Sequence, residues 1–312
     1  MRQVLLAGCG NIGFRHLQAL CTVPEPVHIT VVEPNSAVHG RITTQFDETS
    51  ATGHTFALLT GVPTEHENFD LVIVATAAAQ RRPIVEAILE HHGVTVMILE
   101  KILFQTVGDL DAVGRLFDEN DVRAFVNCGR RTFDGYRQLR ARLAPPVDIE
   151  VRGQGLGLAS NAVHFLDLLE FLNGDSMVSM DATGLDAGSI PGKRPGVVEI
   201  FGTIAAELAN GARLSVESLD ADPTSIQVHL RSGSTHVRID ELTRTQFEND
   251  RSSVFSSQNV SETTEIYVDA LTVNDCALTP YADSVRQHRF FLTEVRSHLG
   301  LSNADDVPCP VS

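Results

Sequence analysis

The segment that most constrains this chain is Gly8-Cys9-Gly10-Asn11-Ile12-Gly13, because of what lies on either side of it. Arg2 to Ala7 precedes it as a short apolar run that reads as a buried strand, and Gly13 to Cys21 follows with helical spacing. The pattern G-x-G-x-x-G alone is a weak signal. Between a strand and a helix, at the start of a βαβ unit, it is a strong one. Gly8 permits a tight turn, Gly10 lets the backbone approach a pyrophosphate, and Gly13 lets the helix pack close to the sheet. Asn11 and Ile12 are further candidate cofactor contacts in this turn, and the helix N-terminus that follows offers unpaired N–H groups and a positive dipole end to an anion. The motif therefore predicts a bound dinucleotide.

The rest of the first half repeats the strand–helix alternation. Val27 to Glu33, Asp70 to Thr76, Val94 to Leu99 and Val122 to Asn127 read as further strands, with helical spacing in Pro83 to His91 and Val107 to Asp118. Such alternation predicts a doubly wound parallel sheet covered by helices on both faces, a Rossmann domain over residues 1–125. Beyond it the period changes to two, in Glu150 to Arg152, Val178 to Leu185, Val197 to Leu208, Arg213 to Leu219, Ile226 to Leu230 and His236 to Ile239. With helices at about Asn161 to Leu172, ended by Asn173-Gly174, and Tyr281 to Leu299, closed by Gly300, residues 126–312 read as a second α/β domain on an open, mostly antiparallel sheet. Overall the chain is of the α/β class.

The formal net charge of −16 and the lack of a basic patch argue against nucleic acid and anionic membranes as partners. No run approaches the ~18 apolar residues that span a bilayer. The N-terminal residues fit a buried strand better than a signal peptide. Cys9, Cys21, Cys128, Cys276 and Cys309 are scattered without metal-type pairing, which predicts reduced thiols, a cytoplasmic protein and no metal site.

Several side chains stand where chemistry is done. Glu33 ends the second strand, where a carboxylate accepts hydrogen bonds from ribose hydroxyls and repels a 2′-phosphate; NAD is favoured over NADP. Arg41 is a cation for a 2′-phosphate but lies several residues downstream. Ala75 and Thr76 follow a parallel strand, at the sheet edge where ligands sit. Glu100-Lys101 ends the next strand at the same edge, and a lysine there can bind a hydroxyl and take its proton. Asn161, His164 and Asp167, spaced three apart, share one face of an otherwise apolar helix. His164 is suited to relay a proton and Asp167 to orient it or bind substrate. Arg130 and Arg131, at the domain junction, could grip an anionic substrate or form an interdomain salt bridge.

Taken in order, Gly8-x-Gly10-x-x-Gly13, Glu100-Lys101 and His164-x-x-Asp167 resemble the Gfo/Idh/MocA family of NAD(P)-dependent oxidoreductases over nearly the whole chain. The resemblance implies a catalytic lysine at Lys101 and a catalytic histidine with its companion acid at His164 and Asp167. It implies hydride transfer between the nicotinamide and a secondary alcohol or ketone of a sugar, sugar nucleotide or cyclitol. Three positions depart from the family. Ile102 stands for the proline after the lysine, Ser160 stands where an aspartate often precedes the histidine, and Ala77 to Gln80 lack the usual proline and histidine. These changes touch the substrate side and leave substrate identity open.

Two other readings remain at this point: elimination or glycoside cleavage through transient oxidation, and a non-catalytic cofactor-binding sensor. The open sheet of the second domain further predicts a homo-oligomer, dimer or tetramer.

Overall fold

The structure is a computed structural model that describes residues 1–49, 52–249 and 251–312. Along the chain come β1 (Arg2–Ala7), α1 (Asn11–Leu20), β2 (Val27–Val32), α2 (His39–Thr49), β3 (Thr55–Leu59), β4 (Asn68–Val74), α3 (Ala78–His91), β5 (Gly93–Leu99), α4 (Val107–Glu119) and β6 (Arg123–Val126). Then follow α5 (Asp134–Arg142), β7 (Asp148–Gln154), α6 (Leu158–Asn173), β8 (Met177–Leu185), β9 (Ile190–Pro191), β10 (Val198–Glu199), β11 (Gly202–Leu208), β12 (Arg213–Leu219) and β13 (Ile226–Ser232). The last elements are β14 (Thr235–Asp240), β15 (Thr245–Glu248), β16 (Arg251–Val254), α7 (Thr264–Thr272), β17 (Thr279–Pro280) and α8 (Tyr281–His298). Two compact units emerge: Met1–Phe104, Gly108–Asn127 and Gln258–Ala282 form the first, and Gln105–Val107, Cys128–Ser257 and Asp283–Ser312 the second.

The first unit holds a seven-stranded sheet in the order β17-β6-β5-β4-β1-β2-β3. Its strands pair in parallel except the short β17, which runs antiparallel to β6. The last four residues of β1, β2, β4 and β5 are all buried, as expected of strands covered on both faces. Strand order reverses between β1 and β4, and Gly8 and Ala75 follow the carboxyl ends of those two strands. That is the topological switch point where open α/β sheets bind ligands. The sequence reading did not include β3, whose residues are only partly buried and carry no clear period, nor the helix α2 before it. It also placed 258–282 with the later residues, whereas α7 and β17 pack with the first unit.

The second unit holds an eight-stranded sheet, β16-β15-β14-β13-β7-β12-β11-β8, antiparallel except for the β7–β12 pair. Burial alternates along β7, β11 and β12, so one face is packed. Helix α6, apolar nearly all round, packs over β11 and β12 and ends at Gly174 in the left-handed region (φ +64). The stretch Val197 to Leu208, expected as one strand, is broken before Gly202 (φ +100). There Leu158 N–H donates to the Ile200 carbonyl at 2.9 Å, so this break fastens the start of α6. All five cysteines are free thiols, four of them buried. Among the described residues no helix is long and apolar enough to cross a membrane.

Candidate functional site

In the first unit the glycine turn brings strand and helix close together and leaves the helix start open. Gly8 has φ +86, a conformation that side chains rarely adopt. A Cβ on Gly13 would lie 2.0 Å from the Gly8 carbonyl oxygen, so the helix can approach the strand only with glycine there. A Cβ on Gly10 would meet nothing within 4 Å, which means open space above the turn. Helix α1 begins at Asn11 with no side-chain cap and no acidic residue in its first turn. Its first N–H groups are thus available to an anion. Nearby, the Thr76 hydroxyl is buried without a hydrogen-bond partner, and its methyl would lie 3.1 Å from a Cβ on Gly8. An uncapped helix end, clear space over Gly10 and an orphaned hydroxyl fit a bound dinucleotide. Burial pushes the Cys9 thiol up to about 12, so the cysteine inside the motif is inert packing.

Glu33 is buried at the end of β2, and its carboxylate ties the turn together: Oε2 accepts from Cys9 N–H at 2.7 Å and Oε1 from Asn35 N–H at 2.8 Å. A carboxylate has about four acceptor positions, so both oxygens retain capacity for hydroxyl donors. Arg41, set aside in the sequence because of its separation, is folded back by α2. Its Nη2 donates to the Cys9 and Gly10 carbonyls at 3.0 and 3.3 Å, and its guanidinium lies 4.3 Å from the centre of the Phe14 ring.

Lys101 follows β5 at the same sheet edge and is half-buried; its peptide bond to Ile102 is cis. Glu100 beside it is buried. Its Oε1 receives His16 Nε2 at 2.9 Å and the Asn127 amide at 2.6 Å. Burial pushes this carboxyl up, but the His16 contact, the Asn127 amide and the Lys101 ammonium outweigh it and hold the group below the usual carboxylate range. Behind it, the Tyr267 hydroxyl is 2.7 Å from His16 Nδ1. The buried Arg81 on α3 donates to the carbonyls of Thr76, Ile102 and Leu103, fastening the lysine-bearing turn to the end of β4. None of His16, Tyr267 or Arg81 was singled out in the sequence. A histidine three residues after Gly13 on the buried face of α1 was the available signal.

In the second unit α6 carries the other candidates. His164 is half-buried, and Asp167 is fully buried with Oδ2 3.3 Å from Arg131 Nε. Asn161 donates its amide back to the Leu156 and Gly157 carbonyls, so it serves the entry to the helix. Arg130 is committed to Glu241 in a two-pronged pair (Nε–Oε1 3.0 Å, Nη2–Oε2 2.8 Å) that Tyr136 O–H joins at 2.7 Å. Both arginines thus pair inside their own unit. His288 is buried, with Nδ1 2.8 Å from the Ser284 carbonyl of the preceding turn. The sequence reading missed Glu199, whose Oε1 accepts from Ala159 N–H at 2.6 Å and whose Oε2 accepts from Ser160 O–H at 2.7 Å. A carboxylate therefore meets Ser160 four residues before His164, brought from a strand that sequence spacing does not connect to it.

Residues 2–128 match the model of an oxidoreductase family with an NAD-binding Rossmann fold. None of the curated proteins matches the chain. Among solved structures, UDP-N-acetylglucosamine 3-dehydrogenase from Acidithiobacillus ferrooxidans is similar over 96% of each chain at 15% identity and TM-score 0.68. An oxidoreductase from Agrobacterium radiobacter in complex with NAD+, L-tartaric acid and magnesium shares 17% identity, covering 95% of this chain and 96% of its own, at TM-score 0.69. Apo scyllo-inositol dehydrogenase from Lactobacillus casei shares 13% identity over 96% of each chain at TM-score 0.67. At these identities the likeness is one of fold. The first 128 residues thus carry the signature of the Gfo/Idh/MocA NAD-binding Rossmann domain, and the chain as a whole shares the fold of these dehydrogenases.

Proposed function

We propose that the protein is an NAD-dependent dehydrogenase or reductase that interconverts a secondary alcohol and a ketone on a sugar, sugar nucleotide or cyclitol. The carrying observation is Lys101, half-buried beside the ionised Glu100, at the strand edge that also bears the open glycine turn. Two fold relatives named as dehydrogenases of a sugar nucleotide and of an inositol support the substrate class.

The coenzyme, when bound, supplies the hydride acceptor or donor. The N–H groups of Asn11, Ile12 and Gly13 bind its pyrophosphate, and Glu33 takes the ribose hydroxyls, which favours NAD. Ala75 and Thr76 line the approach. Lys101 Nζ holds the substrate oxygen and takes the hydroxyl proton during oxidation, or returns it during reduction. In the second unit His164 is the candidate proton carrier, with Asp167, three residues along the same helix, paired to Arg131. On this reading the first unit is the coenzyme domain, and the second supplies substrate contacts and the surface of a cytoplasmic homo-oligomer.

The test is a panel of polyols, aldoses and UDP-sugars incubated with NAD+ and followed by NADH absorbance. Reduction of NAD+ in proportion to one substrate class is expected. Tight NAD+ binding with no turnover on any class would overturn the enzymatic reading.

A further inference from the structure

Of the 24 lysine and arginine side chains, Lys101 and Lys193 alone are lysine. Arginine stays charged at any working pH, whereas a lysine can lose its proton when its surroundings ask it to. Lys193 is exposed, and Lys101 stands next to a carboxylate in which the first unit invests three separate segments.

The chain of contacts starts on α7, in the stretch that returns to the first unit after residue 257. Burial pushes the Tyr267 phenol up, so it remains a hydroxyl and a donor. His16 bridges the two groups: its Nδ1 lies 2.7 Å from that hydroxyl and its Nε2 2.9 Å from Glu100 Oε1. Asn127, just after β6, donates to the same oxygen at 2.6 Å. His16 and Tyr267 are each 1% exposed, so no solvent competes for these contacts. The other charged or titratable groups around this cluster are Lys101 itself, Arg81 on the carbonyls of Ile102 and Leu103, and Cys276 near Tyr267.

We propose that His16 and Tyr267 are positioning residues for Lys101: through their hydrogen bonds they fix the buried Glu100 carboxylate beside the lysine, and its charge sets how readily Lys101 gives up and takes back a proton. The inference rests on the reading of Lys101 as the proton-handling group. It adds two residues, neither of which touches substrate, and gives the returning segment a task in the chemistry. The sign follows from the charges. A fixed anion beside an ammonium favours the protonated lysine, and a buried carboxyl deprived of a donor turns toward its neutral form.

The experiment reads Lys101 directly and needs no substrate. The full-length protein is labelled with ε-13C lysine, which gives two signals, with that of the exposed Lys193 as internal control. The Lys101 signal reports its own alkaline midpoint, and through its neighbour it reports the acid midpoint of Glu100. In the unaltered protein the acid inflection is expected below the ordinary 4.5 of a glutamate. His16→Leu is expected to move it above that value, and His16→Gln, whose amide can donate to the carboxylate, to bring it back. Tyr267→Phe is expected to give a smaller move in the same direction, and serves if His16→Leu does not fold. Glu100→Gln should abolish the inflection and lower the alkaline midpoint by about 1 unit, the scale set by removing an adjacent opposite charge. An acid inflection that stays put in folded His16→Leu or Tyr267→Phe would overturn the proposal, as would an unmoved alkaline midpoint in Glu100→Gln. Because these readings are independent of turnover, they stand or fall separately from the catalytic assignment of Lys101.

Discussion

The two units use polar side chains in opposite ways. In the first, backbone geometry does the holding. A glycine turn and strand ends leave N–H groups, the Thr76 hydroxyl and Lys101 at one sheet edge, and the carboxylates Glu33 and Glu100 are pinned by donors from within the unit. In the second, the polar stripe on α6 is held by side chains from distant segments. Arg131 meets Asp167 and Glu199 meets the first turn, while Asn161 of that stripe bonds locally, to the backbone entering its own helix. The first unit is therefore sensitive to added volume, and the second to lost charge and lost hydrogen bonds.

Two glycine substitutions sharpen that contrast and carry the largest effect. Gly13→Val puts branched carbon into a 2.0 Å gap and is expected to abolish NAD+ binding and destabilise the fold. Overpacking of this kind costs ~1–3 kcal/mol or more. Gly10→Ala adds a methyl where no protein atom lies within 4 Å. It should leave the melting temperature unchanged while weakening NAD+ by roughly tenfold or more, about 1.4 kcal/mol. Calorimetric titration and a thermal melt read both. If the two variants behaved alike, the turn would not be a ligand cradle.

In the second unit, Asp167→Asn should cost ~3 kcal/mol in urea denaturation, since it strands Arg131 beside a buried neutral partner. Glu100 brings a pH dependence to the first unit. Its folded midpoint lies below the ordinary 4.5, so its contribution to stability is present above that value and drains away as pH falls through the folded midpoint. Glu100→Gln should flatten that acid limb in a pH series of melts. The smallest effect is expected from Glu199→Gln, which weakens the acceptors at the start of α6 and should cost about 1 kcal/mol, seen as a lower melting temperature.

The same contrast explains what was legible in the sequence. Gly8 to Gly13, the strand-end Glu33 and the pair Glu100-Lys101 are local signals, in which an apolar run, a turn and a polar residue declare their position at a sheet edge. The period-two runs gave the second sheet in the same way. Contacts made across long sequence separations were not legible. Arg41 reaches the turn only because α2 folds it back, and Tyr267 reaches His16 only because 258–282 rejoins the first unit. Glu199 meets Ser160 only because the chain breaks before Gly202. The outermost strands β15 and β16 escaped for another reason: Thr245–Glu248 and Arg251–Val254 are only partly buried or exposed, and so carry no hydrophobic period.

The central claim is that Lys101 moves a proton during redox chemistry beside a bound dinucleotide. The most direct measurement is the turnover number of Lys101→Arg on the substrate class found by the panel, taken together with its NAD+ affinity. Arginine preserves the charge next to Glu100 but cannot give up its proton. The expected result is NAD+ affinity within twofold of the unaltered protein and a turnover number lower by ~10²–10⁴, the usual worth of a general acid or base. Unchanged turnover in a folded, NAD+-binding Lys101→Arg protein would contradict the account.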